Sequence, residues 1–153
     1  MKIWIKQIPP EGMEYEGKEP ASILELEKDP FVCPDGEVRY RLFSQVISEE
    51  LVVRGEIQVP VKVQCARCTE FFSTTIFNSA FLRVCPISKE IDFVDITKDM
   101  REDLLLHLPG FPLCSEDCKG LCEQCGQNKN KHFCSCEKID SSDNWSILNQ
   151  LNL

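Results

Sequence analysis

The segment 114–136, CSEDCKGLCEQCGQNKNKHFCSC, constrains this chain more than any other. It holds six of the ten cysteines in 23 residues, spaced C-x3-C-x3-C-x2-C-x8-C-x-C. Leu121 and Phe133 are its only sizeable apolar side chains. A stretch this polar cannot fix its backbone by burying hydrocarbon. Bound metal can, because zinc held by thiolates supplies roughly 10–16 kcal/mol of apparent folding free energy in small modules.

Disulfides are the competing explanation, and the compartment decides between the two. The N-terminal MKIWIKQIPPEGMEYEG does not read as a secretory leader, since Lys6 and Gln7 interrupt its apolar stretch and Pro9-Pro10 follows at once. No run approaches the ~20 apolar residues of a membrane-spanning helix. The expectation is a cytoplasmic protein without a membrane partner, in which thiols stay reduced and cysteines serve metal. With 153 residues, 42% of them hydrophobic, the chain can build a core without cysteine staples. Its net charge of −8 weakens any reading as a nucleic-acid binder driven by bulk charge.

Periodicity sets the rest. Residues 2–8 read as a first strand, and Pro9, Pro10, Gly12 and Gly17 as a loop. Residues 21–29 read as a short helix capped by Ser22 and ended by Pro30. Cys33-Pro34-Asp35-Gly36 reads as a turn, with Cys33 a small buried residue. A β pattern begins at Glu37, with Val38, Tyr40, Leu42 and Val46 on one face. The clearest alternation follows. Leu51, Val53, Ile57, Val59, Val61 and Val63 face one side, and Arg54, Glu56, Gln58, Lys62 and Gln64 the other. Gly55 marks a bend or bulge, and Pro60 points to an edge or bulge rather than a central position. CARC (65–68) is a hairpin turn, 70–84 the return strand ending at an ordinary Cys85, and 91–96 a further strand. Residues 97–108 form the best helix, capped by Thr97, with Met100, Leu104, Leu105 and Leu108 on its apolar face. Asp143 caps a closing helix carrying Trp145, Leu148 and Leu151. The expected fold class is α+β: a mainly antiparallel β-sheet domain with two or three helices over 1–113, and a cysteine-rich zinc-binding module with the closing helix over 114–153, packed as one unit.

Zinc takes four ligands tetrahedrally, and cysteine pairs two to four residues apart can wrap one ion. Cys122, Cys125, Cys134 and Cys136 form one candidate set, with Gly126 allowing the backbone to turn amide groups toward the sulfurs. Cys65, Cys68, Cys114 and Cys118 form a second, which would tether the sheet to the C-terminal module. The competing arrangement places Cys114 and Cys118 with Cys122 and Cys125, and spacing leaves both open. One or two Zn²⁺ ions are expected. Cys65 and Cys68 also admit a thioredoxin-like redox pair. That chemistry wants a helix N-terminus, and a strand pattern follows here.

Little else looks catalytic. His107 ends a helix, where a cation suits the dipole. His132 lies beside Cys134 and could substitute as a ligand. Asp92, Asp95, Asp99, Glu102 and Asp103 suggest a Mg²⁺ site, but acids on a helix's first turn and outer face are ordinarily favourable charge. No Gly-rich phosphate loop occurs. Lys129 and Lys131, with Asn128 and Asn130, form the one loop suited to phosphate or a partner, and Arg39 and Arg41 form a lesser one.

The strand ending in CARCTEFF (65–72) and the segment DITKDMREDLLLHLPGFPLCSEDCKGLCEQCGQNKNKHFCSC (95–136) together resemble the YceD family of bacterial proteins, linked to accumulation of large-subunit ribosomal RNA. The closing segment with Trp145 and Leu148 is also similar. Glu123 departs from the Pro that such motifs often carry, and it is not a ligand. The resemblance implies a cytosolic, non-catalytic factor in large-subunit rRNA synthesis, processing or stability, with a ribosomal protein, an assembly factor or pre-rRNA as partner and no small-molecule substrate. An acidic chain favours a basic protein partner. Two readings compete with it: a thiol-redox or RNA-processing enzyme, and a structural zinc protein unrelated to ribosomes.

Overall fold

The computed structural model describes residues 1–88 and 90–136. A five-stranded antiparallel sheet is built on one long strand, β5 (Glu50–Gln64). Along one edge β5 pairs with β6 (Phe71–Pro86) throughout. Along the other it pairs first with β4 (Val38–Ile47), up to Gln58, and then with β3 (Val32–Pro34), from Val61. The outer strand β2 (Met13–Glu19) pairs with β4. A separate ribbon joins β1 (Lys2–Trp4) to β7 (Phe93–Asp95), and α1 (Thr97–Leu106) follows.

The alternation read in β5 holds. Leu51, Val53, Ile57, Val59, Val61 and Val63 are all buried on the face that meets Ile3, Leu24, Ile96, Met100 and Leu104. Burial of this inner face is the main stabilising term of the domain. Pro60 was expected at an edge or bulge, yet β5 is central. Pro60 falls in the gap where β5 exchanges β4 for β3, and its carbonyl accepts the Asp35 N–H at 2.9 Å. No ladder donor is needed there, which is why a proline fits. Gly55 does mark an irregularity. The register shifts between Gly55 and Ile57, with the extra residue on β6. Asn78 braces that bulge, accepting the Ala80 N–H at 2.8 Å and donating to Asp103 on α1 at 2.8 Å.

Several expectations are corrected. The loop foreseen over 9–17 contains most of β2, an edge strand too polar to signal itself. Gly17 there leaves room for Tyr40, whose hydroxyl would lie 2.5 Å from a Cβ. Residues 21–29 form only a 3-10 turn, Ala21–Leu24, which Ser22 does not cap. The left-handed Glu25 (φ 54°) ends it, and Arg101 Nε takes the Leu24 carbonyl that a continuing α-helix would need. Thr97 is the first residue of α1 rather than its cap. Asp95 Oδ1 accepts both its N–H, at 3.0 Å, and its hydroxyl, at 2.6 Å. Cys33 is exposed rather than buried, because its register partner is Lys62 on the solvent face. Cys85 packs against the core as expected, and burial raises its thiol pKa. Among the described residues α1 is the one α-helix. The closing helix expected around Asp143, Trp145, Leu148 and Leu151 lies outside them. No described helix is long and apolar enough to cross a membrane.

Candidate metal centres

β5 ends by delivering Cys65 on its buried face, and the β5–β6 hairpin turns through Cys68. The Cys65 N–H donates to Glu70 O at 2.9 Å, and Thr69 N–H to Cys65 O at 2.9 Å. The chain leaving α1 returns to this turn, where Ala66 N–H donates to Pro112 O at 2.8 Å. Cys114 and Cys118 then complete a group. The Cys65 and Cys118 sulfurs are 3.8 Å apart, and those of Cys68 and Cys114 are 3.7 Å apart. Cys122, Cys125, Cys134 and Cys136 form a second group, with Cys134 Sγ at 3.4 Å from Cys122 Sγ and 3.5 Å from Cys125 Sγ. In each group all four sulfurs lie within 4.8 Å of one another, and each could hold a metal ion. A tetrahedron with Zn–S bonds of about 2.3 Å has S···S edges of about 3.8 Å, so the spacing fits four-thiolate coordination. The alternative pairing of Cys114 and Cys118 with Cys122 and Cys125 is not the one formed. All ten cysteines are free thiols.

The two C-x2-C turns share one backbone. Gly126, after Cys125, has φ 71°, and its N–H donates to Cys122 O at 2.8 Å. Thr69, after Cys68, occupies the same left-handed region at φ 59° with the matching bond to Cys65. A β-branched residue there is strained by roughly 1–2 kcal/mol. The sequence signalled only the glycine. Replacing Thr69 with Gly is therefore expected to stabilise the metal-loaded protein by about 0.5 kcal/mol, strain relief exceeding the glycine's entropic cost. Gly126→Thr should cost about 1–2 kcal/mol by the same strain. Thermal midpoints of both variants check this, and a clear loss in Thr69→Gly would refute it.

Amide groups converge on the sulfurs. Arg67 N–H reaches Cys65 Sγ at 3.4 Å and Cys114 N–H reaches it at 3.5 Å. Burial opposes ionisation of Cys65, but these donors with the Cys68 N–H bring its pKa down to about 6. For Cys68 the Glu70 N–H favours the thiolate, while burial and the neighbouring sulfurs push it up to about 12. The second group repeats the contrast. The Cys125 and Gln124 N–H groups bring Cys122 to about 6, and the Cys134 and Cys125 sulfurs push Cys136 to about 12. Four sulfurs this close cannot all carry charge unaided, and a divalent cation would resolve the conflict. The donor set therefore suits a metal ion on its chemistry as well as its spacing.

Residues outside the cysteines divide differently from expectation. Asn128 and Asn130 are engaged in hydrogen bonds within the module: Asn128 Oδ1 accepts the Asn130 N–H at 3.0 Å, and Asn130, though exposed, contacts Lys119 and Cys118. Lys131 pairs with Glu70 at 2.7 Å, and Lys129 stays exposed. His132 is exposed and belongs to neither group. His107 Nδ1 lies 2.8 Å from Asp103 O at the end of α1. The acids do not converge. Asp92 pairs with Lys6, Asp99 with Arg83, Glu102 with Lys98, Asp95 with Thr97 and Asp103 with Asn78. Arg67 went unremarked in the sequence. Its guanidinium donates to the Glu116 and Cys118 carbonyls at 3.1 and 3.2 Å, clamping 116–118 onto the hairpin. Gly120 (φ 70°) passes so close to Arg67 O that a Cβ would lie 3.0 Å from it.

Comparison with known proteins agrees with this pattern. The family described as "Large ribosomal RNA subunit accumulation protein YceD" matches residues 83–152. A curated Arabidopsis thaliana protein, "Large ribosomal RNA subunit accumulation protein YCED homolog 1, chloroplastic", is 32% identical over 62 residues, covering 40% of this chain and 19% of that one. An uncharacterized Mycobacterium tuberculosis protein is 32% identical over 96 residues, covering 52% of this chain and 45% of that one. A Mycobacterium leprae protein is 26% identical over 135 residues, covering 72% and 62%. The chain thus spans less than half the length of the first two relatives. No solved structure matches the chain significantly. The family that the cysteine pattern resembles is the one the comparison returns, and residues 83–152 are the part of the chain that matches its model.

Proposed function

We propose that this protein is a non-catalytic, zinc-stabilised binding factor in the accumulation of large-subunit ribosomal RNA, acting in the cytoplasm on a ribosomal protein, an assembly factor or pre-rRNA. The observation that carries the reading is the pair of closed four-cysteine groups, three of whose pairs lie within the YceD-matched segment. A catalytic zinc keeps one position for water or substrate, whereas four thiolates fill the sphere and leave a structural ion. The tetrahedral all-sulfur donor set suits zinc and disfavours hard ions such as Mg²⁺ and Ca²⁺. The redox alternative requires an accessible low-pKa thiol, and Cys65 is buried among three other sulfurs. A basic protein partner suits the charge of −8, with Lys129 an exposed cation of the 128–131 loop available for any RNA contact.

The test is depletion followed by quantification of both ribosomal RNAs, together with gradient sedimentation of the tagged protein at low salt. A fall in large-subunit rRNA relative to small-subunit rRNA, with the protein in pre-ribosomal fractions, supports the reading. Unchanged rRNA with no sedimenting protein would overturn it.

A further inference from the structure

We propose that Asn130 couples the two cysteine groups, so that metal loading at one tightens metal binding at the other. The inference rests on the metal reading above and goes beyond it. Asn130 lies in the loop that the second group closes, between Cys125 and Cys134. Its side chain nevertheless serves the first group. Nδ2 donates to Cys118 Sγ at 3.3 Å, and Oδ1 accepts the Lys119 N–H at 2.8 Å. One amide therefore holds both the sulfur of a first-group ligand and the backbone just after it.

The loop reaches Cys118 in a fixed pose. Asn128 Oδ1 accepts from Asn130 N at 3.0 Å and from Asn130 Nδ2 at 2.9 Å. Lys129 N–H donates to Gly120 O at 2.9 Å, and Cys122 N–H to Gln127 O at 2.8 Å. A bridge between Leu121 and Asn128 closes the same ring. Among the described residues, no residue of this loop belongs to an apolar core cluster. Closure of Cys122, Cys125, Cys134 and Cys136 on one ion is what would order it and aim Asn130. An N–H donor on a thiolate stabilises the charged, metal-binding form. Loss of such an outer partner typically weakens metal binding by about 10–100-fold. Coupling of this kind is reciprocal, so an occupied first group, by fixing Cys118–Gly120, would favour closure of the second.

The experiment is a double-mutant cycle on the whole chain, read by Zn²⁺ competition against a chromophoric chelator. Cys134→Ser/Cys136→Ser disables the second group, and Asn130→Ala removes the coupling amide. Each change is expected to weaken Zn²⁺ binding at the first group by about 10–100-fold, and the two together no more than either alone. Asn130→Asp keeps the acceptor for Lys119 but sets a carboxylate against the sulfur, so it should weaken the first group more than Asn130→Ala. With Co²⁺ bound, the thiolate-to-metal band should shift in Asn130→Ala, which a purely structural role would not cause. Independent losses that multiply in the combined variant would overturn the coupling while leaving two metal sites standing. Wild-type protein without bound zinc would overturn the metal reading and the coupling with it.

Discussion

Freshly purified, reduced protein is expected to carry two zinc ions, and paired Cys→Ser variants are expected to sort into two classes. Cys65→Ser/Cys68→Ser and Cys114→Ser/Cys118→Ser should each lose one ion, and combining them should lose no more. Cys122→Ser/Cys125→Ser or Cys134→Ser/Cys136→Ser should remove the other. The expectation follows from sulfur separations of 3.7–3.8 Å in the first group and 3.4–3.5 Å in the second. Elemental analysis reads the outcome directly. If the Cys65/Cys68 and Cys122/Cys125 variants lost the same ion, the two-site arrangement would be wrong.

Removing both ions by chelation should affect the two halves of the molecule unequally. The core of β5, β6, α1 and their partners contains none of the eight clustered cysteines. Apart from the buried ligand Cys118, the segment 114–136 offers the core little apolar surface: Leu121 is half-buried and Phe133 is 94% exposed. The roughly 10–16 kcal/mol that zinc supplies to such modules therefore falls mainly on that segment. Limited proteolysis of chelated protein should cut within 114–136 first, while the far-ultraviolet signature of the sheet persists.

What the sequence disclosed and what it withheld divide along a physical line. The β5 alternation was legible because one strand with one buried face writes a period of two into its own residues. The second cysteine group could be put forward because its ligands are close in sequence, although spacing left Cys114 and Cys118 as rivals to Cys134 and Cys136. The first joins residues 46 or more positions apart, as from Cys68 to Cys114. Spacing alone left its pairing open, and only the return of the chain from α1 to Ala66 decides it. Pro60 misled because a proline records a missing donor but not which neighbour would have needed it. The polar strand β2 carried no hydrophobic signal, since its stability comes from backbone pairing with β4. Asn130 read as part of a loop suited to phosphate or a partner, and its contact with the first group exists only once Cys118 is folded against it. Thr69 could have been suspected from its place after a C-x2-C pair, the place Gly126 holds in the other.

Gly55→Ala is expected to be among the most damaging single substitutions in the sheet, although it adds one methyl group. Gly55 stands at φ 152° beside the register shift, in a strand paired on both sides. A Cβ there would lie 2.2 Å from the Arg41 carbonyl oxygen and 2.9 Å from Leu42 Cα. Both obstacles are backbone, so no rotamer change relieves them, and β4 would have to separate from β5. Strain of this kind costs about 1–3 kcal/mol where the conformation alone is unfavourable, and the clash adds to it. A loss of about 3 kcal/mol corresponds to a fall of about 6–12 °C in thermal midpoint for a chain of this size. Gly110→Ala is the matched control, because a Cβ at Gly110 meets nothing within 4 Å. The midpoint of Gly110→Ala should stay within a degree or two of wild type. Equal stability of the two variants would mean that β4 and β5 do not approach as closely as described. A selective loss in Gly55→Ala would establish that the β4–β5 contact tolerates no side chain where the β6 bulge begins.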